Sequence, residues 1–156
     1  LPKTDLAQLS KVPKSGKSGV LWGGNLTVLT SLMGTPYFPS VKGGVLFLED
    51  VAEHPYRIER MLTQLLHAGV LGQQHAIVLG HFTEYALTPH DKGFNLKTVV
   101  QWLRAHTKTP VLTGLPYGHV ATKVLLPYAT EIQKMLDGFV RRIHVIPSVL
   151  VITLPL

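Results

Sequence analysis

Two side chains in this sequence have the types and settings of a hydrolytic acid–base pair. Glu49 closes the apolar run Gly43-Gly44-Val45-Leu46-Phe47-Leu48, and His119 closes Pro110-Val111-Leu112-Thr113-Gly114-Leu115-Pro116-Tyr117-Gly118. A neutral imidazole acts as a base on one nitrogen only if the proton sits on the other. A buried carboxylate fixes that tautomer and stabilises the imidazolium that forms. Gly118 gives the main chain before His119 freedom to turn the ring inward. What is missing is a nucleophile. The serines are Ser10, Ser15, Ser18, Ser31, Ser40 and Ser148, none of them in a Gly-x-Ser-x-Gly elbow, and there is no cysteine. The sequence reads as one half of a hydrolytic site.

Other readings of the same residues stay open. Asp50, beside Glu49, is the better capping type and can be the acid instead. Glu49 can cap the following segment or pair with Arg57 or Arg60. His119 can be an ordinary loop histidine.

The elements that would bring the pair together follow from apolar periodicity. Val20-Leu21-Trp22 suits a short strand, with Gly23-Gly24-Asn25 as a tight turn. Asn25 is a good cap for a helix through Leu26, Val28, Leu29 and Leu32, stopped by Gly34-Thr35-Pro36. Val45 to Leu48 reads as a buried strand. Pro55 suits a helix's first turn, and Ile58, Met61, Leu62, Leu65 and Leu66 repeat at helical spacing up to a stop at Gly69. Ala76 to Leu79 is a further strand. Asn95 caps a helix with Leu96, Val99, Val100 and Leu103 on one face, and Pro110 to Thr113 is another strand.

Strand and helix alternating in this way predict an α/β fold, a parallel βαβαβ core with right-handed crossovers. Lys123 to Leu126, Glu131 to Lys134 and Arg141 to Ile152 suit short β segments, so the core is expected to continue into a mixed, barrel-like sheet. In parallel strands all carboxyl ends share one edge, where open α/β folds build their sites. Neighbouring strands are about 4.8 Å apart. Side chains 70 residues apart in sequence, as Glu49 and His119 are, can therefore meet there.

Composition bounds the rest. The chain has 156 residues, 46% of them hydrophobic and 15% charged, enough for one domain with a core and too apolar for disorder. Residues 1–18, rich in Lys, Pro, Ser and Gly, read as a linker or disordered segment, with the domain at 19–156. Gly16-Lys17-Ser18 matches the end of a phosphate-binding loop, but Lys11 stands where its first glycine belongs and no apolar strand precedes it. The formal charge is +6, yet the basic residues are not interleaved with aromatics and no nucleic-acid motif is present. No signal-peptide pattern appears, and no apolar run reaches the roughly 20 residues of a membrane helix. The eight histidines form no His-Glu-x-x-His pair, so no metal is expected. Arg57 and Arg60 are read as partners of Glu53 or Glu59.

Several segments together resemble the C-terminal half of the LD-carboxypeptidases. They are Leu21-Trp22-Gly23-Gly24-Asn25-Leu26, Gly34-Thr35-Pro36-Tyr37, the block from Leu46 to Leu62 built around Leu48-Glu49-Asp50-Val51-Ala52-Glu53, then Ala76 to Gly80, and Pro110 to His119. In order and spacing the resemblance covers roughly Gly19 to Pro127. That family comprises serine peptidases, including muramoyltetrapeptide carboxypeptidase and microcin-immunity hydrolases.

The resemblance implies a Ser-Glu-His triad split across two domains, with Glu49 and His119 as its acid and base. The serine and oxyanion hole would lie in an N-terminal domain absent from this chain. It further implies release of terminal D-Ala from cytoplasmic muropeptide tetrapeptides with no metal or organic cofactor. Gly24 and Asn25, whose turn offers backbone N–H groups, and Tyr117 are the candidate substrate-binding residues. A non-catalytic muropeptide-binding or regulatory module is the alternative. The face left open by the absent domain is expected to be apolar, with Trp22 and Tyr117 as candidates, and so to favour a homodimer.

Overall fold

The structure, a computed structural model, describes residues 19–121 and 126. Four strands, β1 (Leu21–Asn25), β2 (Val45–Val51), β3 (Ala76–Thr83) and β4 (Val111–Thr113), form one sheet in the order β1-β2-β3-β4. All neighbouring pairs are parallel. Helices α1 (Leu26–Ser31), α2 (Pro55–His67) and α3 (Leu96–His106) make the three crossovers. When strand order follows chain order and each crossover has the same hand, every helix falls on one face of the sheet. The packing has that form. Leu46, Leu48, Ile77 and Leu79 on the strands share a core with Leu26 and Leu29 of α1, Ile58, Leu62 and Leu65 of α2, and Val99, Val100 and Leu103 of α3. The opposite face carries a second cluster, Leu21, Val45, Phe47, Ala76, Val78, Leu112 and Leu115, with Tyr117 and Leu126 packed against it.

Local chemistry places the helix ends as expected. Asn25 Oδ1 accepts the Val28 N–H (2.9 Å), and Asn95 Oδ1 accepts that of Thr98 (3.3 Å). Pro55 opens α2, and Gly69 follows its cap with φ +75°. Within α1, Val28 faces solvent, whereas Leu26, Leu29 and Thr30 are buried at i, i+3, i+4. Among the described residues no helix is long and apolar enough to cross a membrane. The segments expected to close a barrel-like sheet, and residues 1–18, lie outside the described residues, Leu126 excepted.

Two expectations change. Gly23-Gly24-Asn25 is not a tight turn but the end of β1, paired with Phe47, Leu48 and Glu49. The glycines serve a close approach: a Cβ on Gly23 would lie 2.1 Å from the Phe47 carbonyl oxygen. Trp22 is not on an exposed apolar face either. It is 2% exposed, and its indole N–H donates to Gln74 Oε1 at 2.9 Å. Its ring meets Phe38 edge-on at 6.4 Å. A strand residue on the helix side of the sheet is covered by the helices, so Trp22 offers no surface for self-association.

Gly23→Ala is expected to lower the urea midpoint more than Gly24→Ala. Both sites have positive φ (+119° and +134°), but a Cβ at 24 meets nothing within 4 Å, while one at 23 strikes main chain. Equal losses in urea unfolding would show that dihedral strain alone, and not the Phe47 contact, sets the requirement for glycine.

Candidate active site at the carboxyl edge of the sheet

Glu49 and Asp50 are consecutive on β2, so their side chains leave opposite faces of the sheet. Both are buried, at 6% and 2% exposure. Asp50 points to the helix side and is fully committed. Its Oδ1 accepts from Asn25 Nδ2 (2.7 Å) and from the Val51 N–H (2.9 Å). Its Oδ2 accepts from the Thr27 N–H (2.9 Å) and the Thr27 hydroxyl (2.8 Å). Four hydrogen bonds satisfy the buried charge and tie the β2 terminus to the first turn of α1. Asp50 is a structural anchor.

Glu49 lies on the other face, with Phe47, at an irregularity in the ladder. The β2–β3 register runs Leu48 to Leu79 and then Asp50 to Phe82, so Gly80 and His81 together oppose Glu49. This β-bulge bends the strand and re-aims the side chains beside it. It also gives the chain leaving β4 a place to cross. The Leu115 N–H donates to the Leu79 carbonyl (3.3 Å), and the His81 N–H donates to the Tyr117 carbonyl (2.8 Å). The Thr83 hydroxyl donates to the His119 carbonyl (3.4 Å). Residues 115–119 thus run along the end of β3 toward β2, and Tyr117 packs edge-on against Phe47 with centroids 5.4 Å apart.

This crossing requires glycine at two places. A Cβ on Gly80 would lie 2.5 Å from the Tyr117 carbonyl oxygen and 3.4 Å from Glu49 Cβ. A Cβ on Gly118, which has φ +136°, would lie 3.1 Å from the His81 carbonyl oxygen and 3.3 Å from Glu49 Oε2. The residue before His119 therefore rests against the Glu49 carboxylate, with His119 itself on the exposed rim. Of the residues singled out from sequence, Glu49, Tyr117 and His119 gather on this face. Gly24 and Asn25 stand one strand away, where Asn25 pairs in register with Glu49. Both ends of the Asn25 amide are engaged, one in the α1 cap and one by Asp50. Gly24 faces open space.

Arg57 pairs with Glu53, Nε to Oε2 at 2.6 Å, and Arg60 lies over the Tyr56 ring at 5.8 Å, so both arginines are engaged close to their own helix. Among the described residues no three His, Asp or Glu side chains are grouped as metal ligands. A cleft of about 210 Å³ opens between β3, β4 and the start of α3, lined in part by Gly80, His81, Leu96 and Thr113.

Sequence reasoning missed three features. The bulge had one signal, the glycine closing an otherwise apolar strand at Gly80. Thr27 carried none. The third is a strap between loops, in which His54 Nε2 meets Asp91 Oδ1 at 3.2 Å while His54 Nδ1 caps α2. Asp91 also accepts from the Thr88 N–H (2.6 Å), which holds its carboxyl below the usual value of 3.8.

A parallel α/β sheet with a buried acid and a histidine-bearing loop at its carboxyl edge brings together groups that acid–base chemistry can use. The sequence profile of the LD-carboxypeptidase C-terminal domain matches residues 18–133, and the chain belongs to that family. It is 37% identical over 116 residues to the murein tetrapeptide carboxypeptidase of Pseudomonas aeruginosa, covering 74% of this chain and 37% of that protein. The crystal structure of muramoyltetrapeptide carboxypeptidase from Oxalobacter formigenes superposes with a TM-score of 0.71 at 51% identity, over 73% of this chain and 39% of that one. The protein MccF in complex with glutamyl sulfamoyl guanosine gives 0.64 at 26% identity, over 73% and 34%. The chain thus spans about two fifths of the length of the relatives it matches.

Three outcomes are expected. Thr27→Val removes a donor from the buried Asp50 carboxylate and should cost on the order of 1–3 kcal/mol in urea unfolding. Gly118→Ala should cost about 1–3 kcal/mol through strain and displace the amide resonances of residues 115–120. A carboxyl whose folded value is depressed stabilises the fold above its ordinary value, and that stability is lost as pH falls through the folded value. Asp91→Asn should therefore flatten the loss of melting temperature on acidification below about pH 4, and an unchanged acid limb would remove Asp91 from that role.

Proposed function

We propose that this chain supplies the general base and its orienting acid to a serine-type LD-carboxypeptidase that removes the terminal D-amino acid from murein tetrapeptides. The carrying observation is the approach of Glu49 Oε2 to within 3.3 Å of the Cβ position of Gly118, the residue before His119. Family membership and the activity named for the Pseudomonas and Oxalobacter relatives support it. Of the two adjacent acids, Asp50 has both oxygens engaged by the end of β1, the first turn of α1 and its own strand, and Glu49 is the acid on the His119 side.

In this reading a serine comes from polypeptide outside this chain. Its hydroxyl attacks the carbonyl carbon of the scissile amide as His119 takes the proton. Glu49 holds the imidazole in the productive tautomer and balances the charge of the imidazolium. His119 then gives the proton to the departing amine as the C–N bond breaks. Water, activated by the same imidazole, releases the acyl group. The substrate is a muropeptide handled in the cytoplasm, bound where the ends of β1 and β2 and Tyr117 line the approach to Glu49.

The test joins this chain to an N-terminal nucleophile domain, as a fusion or as a second polypeptide, and follows D-Ala release from a tetrapeptide. This chain alone should release none. In the joined protein, Glu49→Gln and His119→Ala should each lower kcat by about 10³-fold or more with little change in KM. Wild-type turnover by the folded His119→Ala protein would overturn the assignment.

A further inference from the structure

We infer that Thr83 is a positioning residue for His119, acting through the main chain of the loop that carries it. The inference rests on the reading of Glu49 and His119 as acid and base. Three observations meet at Thr83, the last residue of β3. Its hydroxyl donates to the His119 carbonyl at 3.4 Å. Its own carbonyl accepts the Ala52 N–H at 2.8 Å, three residues beyond Glu49. It pairs in register with Val51 on β2. Thr83 thus touches the acid's strand with its backbone and the base's loop with its side chain.

The geometry explains why a side chain is used. The His81 N–H takes the Tyr117 carbonyl, as in a parallel ladder. That ladder does not run on to the His119 carbonyl, which accepts from the Thr83 hydroxyl instead. The chain turns away first: Gly118 has φ +136°, and the Val120 N–H donates back to the Gly118 carbonyl at 2.9 Å. The His119 carbonyl leaves the ladder, and the Thr83 hydroxyl reaches out to hold it. On either side of Gly118, among the described residues, the loop is fixed at 117 by main chain and at 119 by this hydroxyl. Gly118 between them lies against Glu49 Oε2 and His81. Losing the hydroxyl frees His119 while leaving the rest of the loop attached.

The experiment uses the joined protein, this chain with its nucleophile domain, and compares Thr83→Val, Thr83→Ser and His119→Ala by D-Ala release, with thermal melts for each. Thr83→Val should lower kcat by about tenfold with little change in KM, and Thr83→Ser, which keeps the hydroxyl, should restore it. If valine at 83 fails to fold, Thr83→Ala carries the same comparison. An unchanged kcat in Thr83→Val, even with a lower melting temperature, would overturn the role of Thr83 and leave the acid–base pair standing. An unchanged kcat in His119→Ala would overturn the pair and the role of Thr83 with it.

Discussion

The close approach of two stretches of main chain at the end of β3 is the constraint on which the site depends. Residues 115–119 must cross β3 to reach the acid on β2, and the space is set by Gly80 and Gly118. At both positions a single added carbon would fall within van der Waals distance of backbone, 2.5 Å and 3.1 Å respectively. Packed backbone does not yield to such a contact as a flexible side chain does. The crossing therefore exists only because two side chains are absent. The bulge opposite Glu49 adds the local twist that lets the crossing and the ladder coexist.

A second constraint is the division of labour between two neighbouring acids. Strand alternation sends Glu49 and Asp50 to opposite faces, and the fold treats them differently. Asp50 is surrounded by donors from the end of β1, from α1 and from its own strand, which balance its desolvation and hold the first crossover to the sheet. Glu49 emerges on the face opposite the three described helices, among Phe47, Tyr117 and the glycines. A slip of one residue in the β2 register would exchange the two acids. The fully buried Leu46 and Leu48 on the helix side hold that register in place. Core packing and site chemistry are in this sense one specification.

Much of the architecture was legible because short-range signals agreed with one another. Helical spacing at Ile58, Leu62 and Leu65, the caps at Asn25 and Asn95, and Pro55 at the start of α2 all gave the elements found. Gly23-Gly24 misled, because paired glycines suit a turn as well as a strand that must approach another backbone. Trp22 misled for a related reason. A large aromatic can mark an open face or a core, and only the helices packed over it decide which. The Asp50 hydrogen bonds and the His54–Asp91 strap join segments 23 to 37 residues apart through side chains that have no periodic signature.

What the sequence determined by itself is the set of elements and the carboxyl edge as the meeting place, since periodicity and capping are local and parallel strands with helical crossovers share one polarity. The identity of the candidate acid and base was also within its reach, as residues closing apolar runs. The tertiary structure alone decided which acid faces the histidine loop, how that loop crosses an intervening strand, and which side chain holds it there. Those outcomes depend on register, a bulge and contacts between distant segments, and such contacts form only when the whole sheet has assembled.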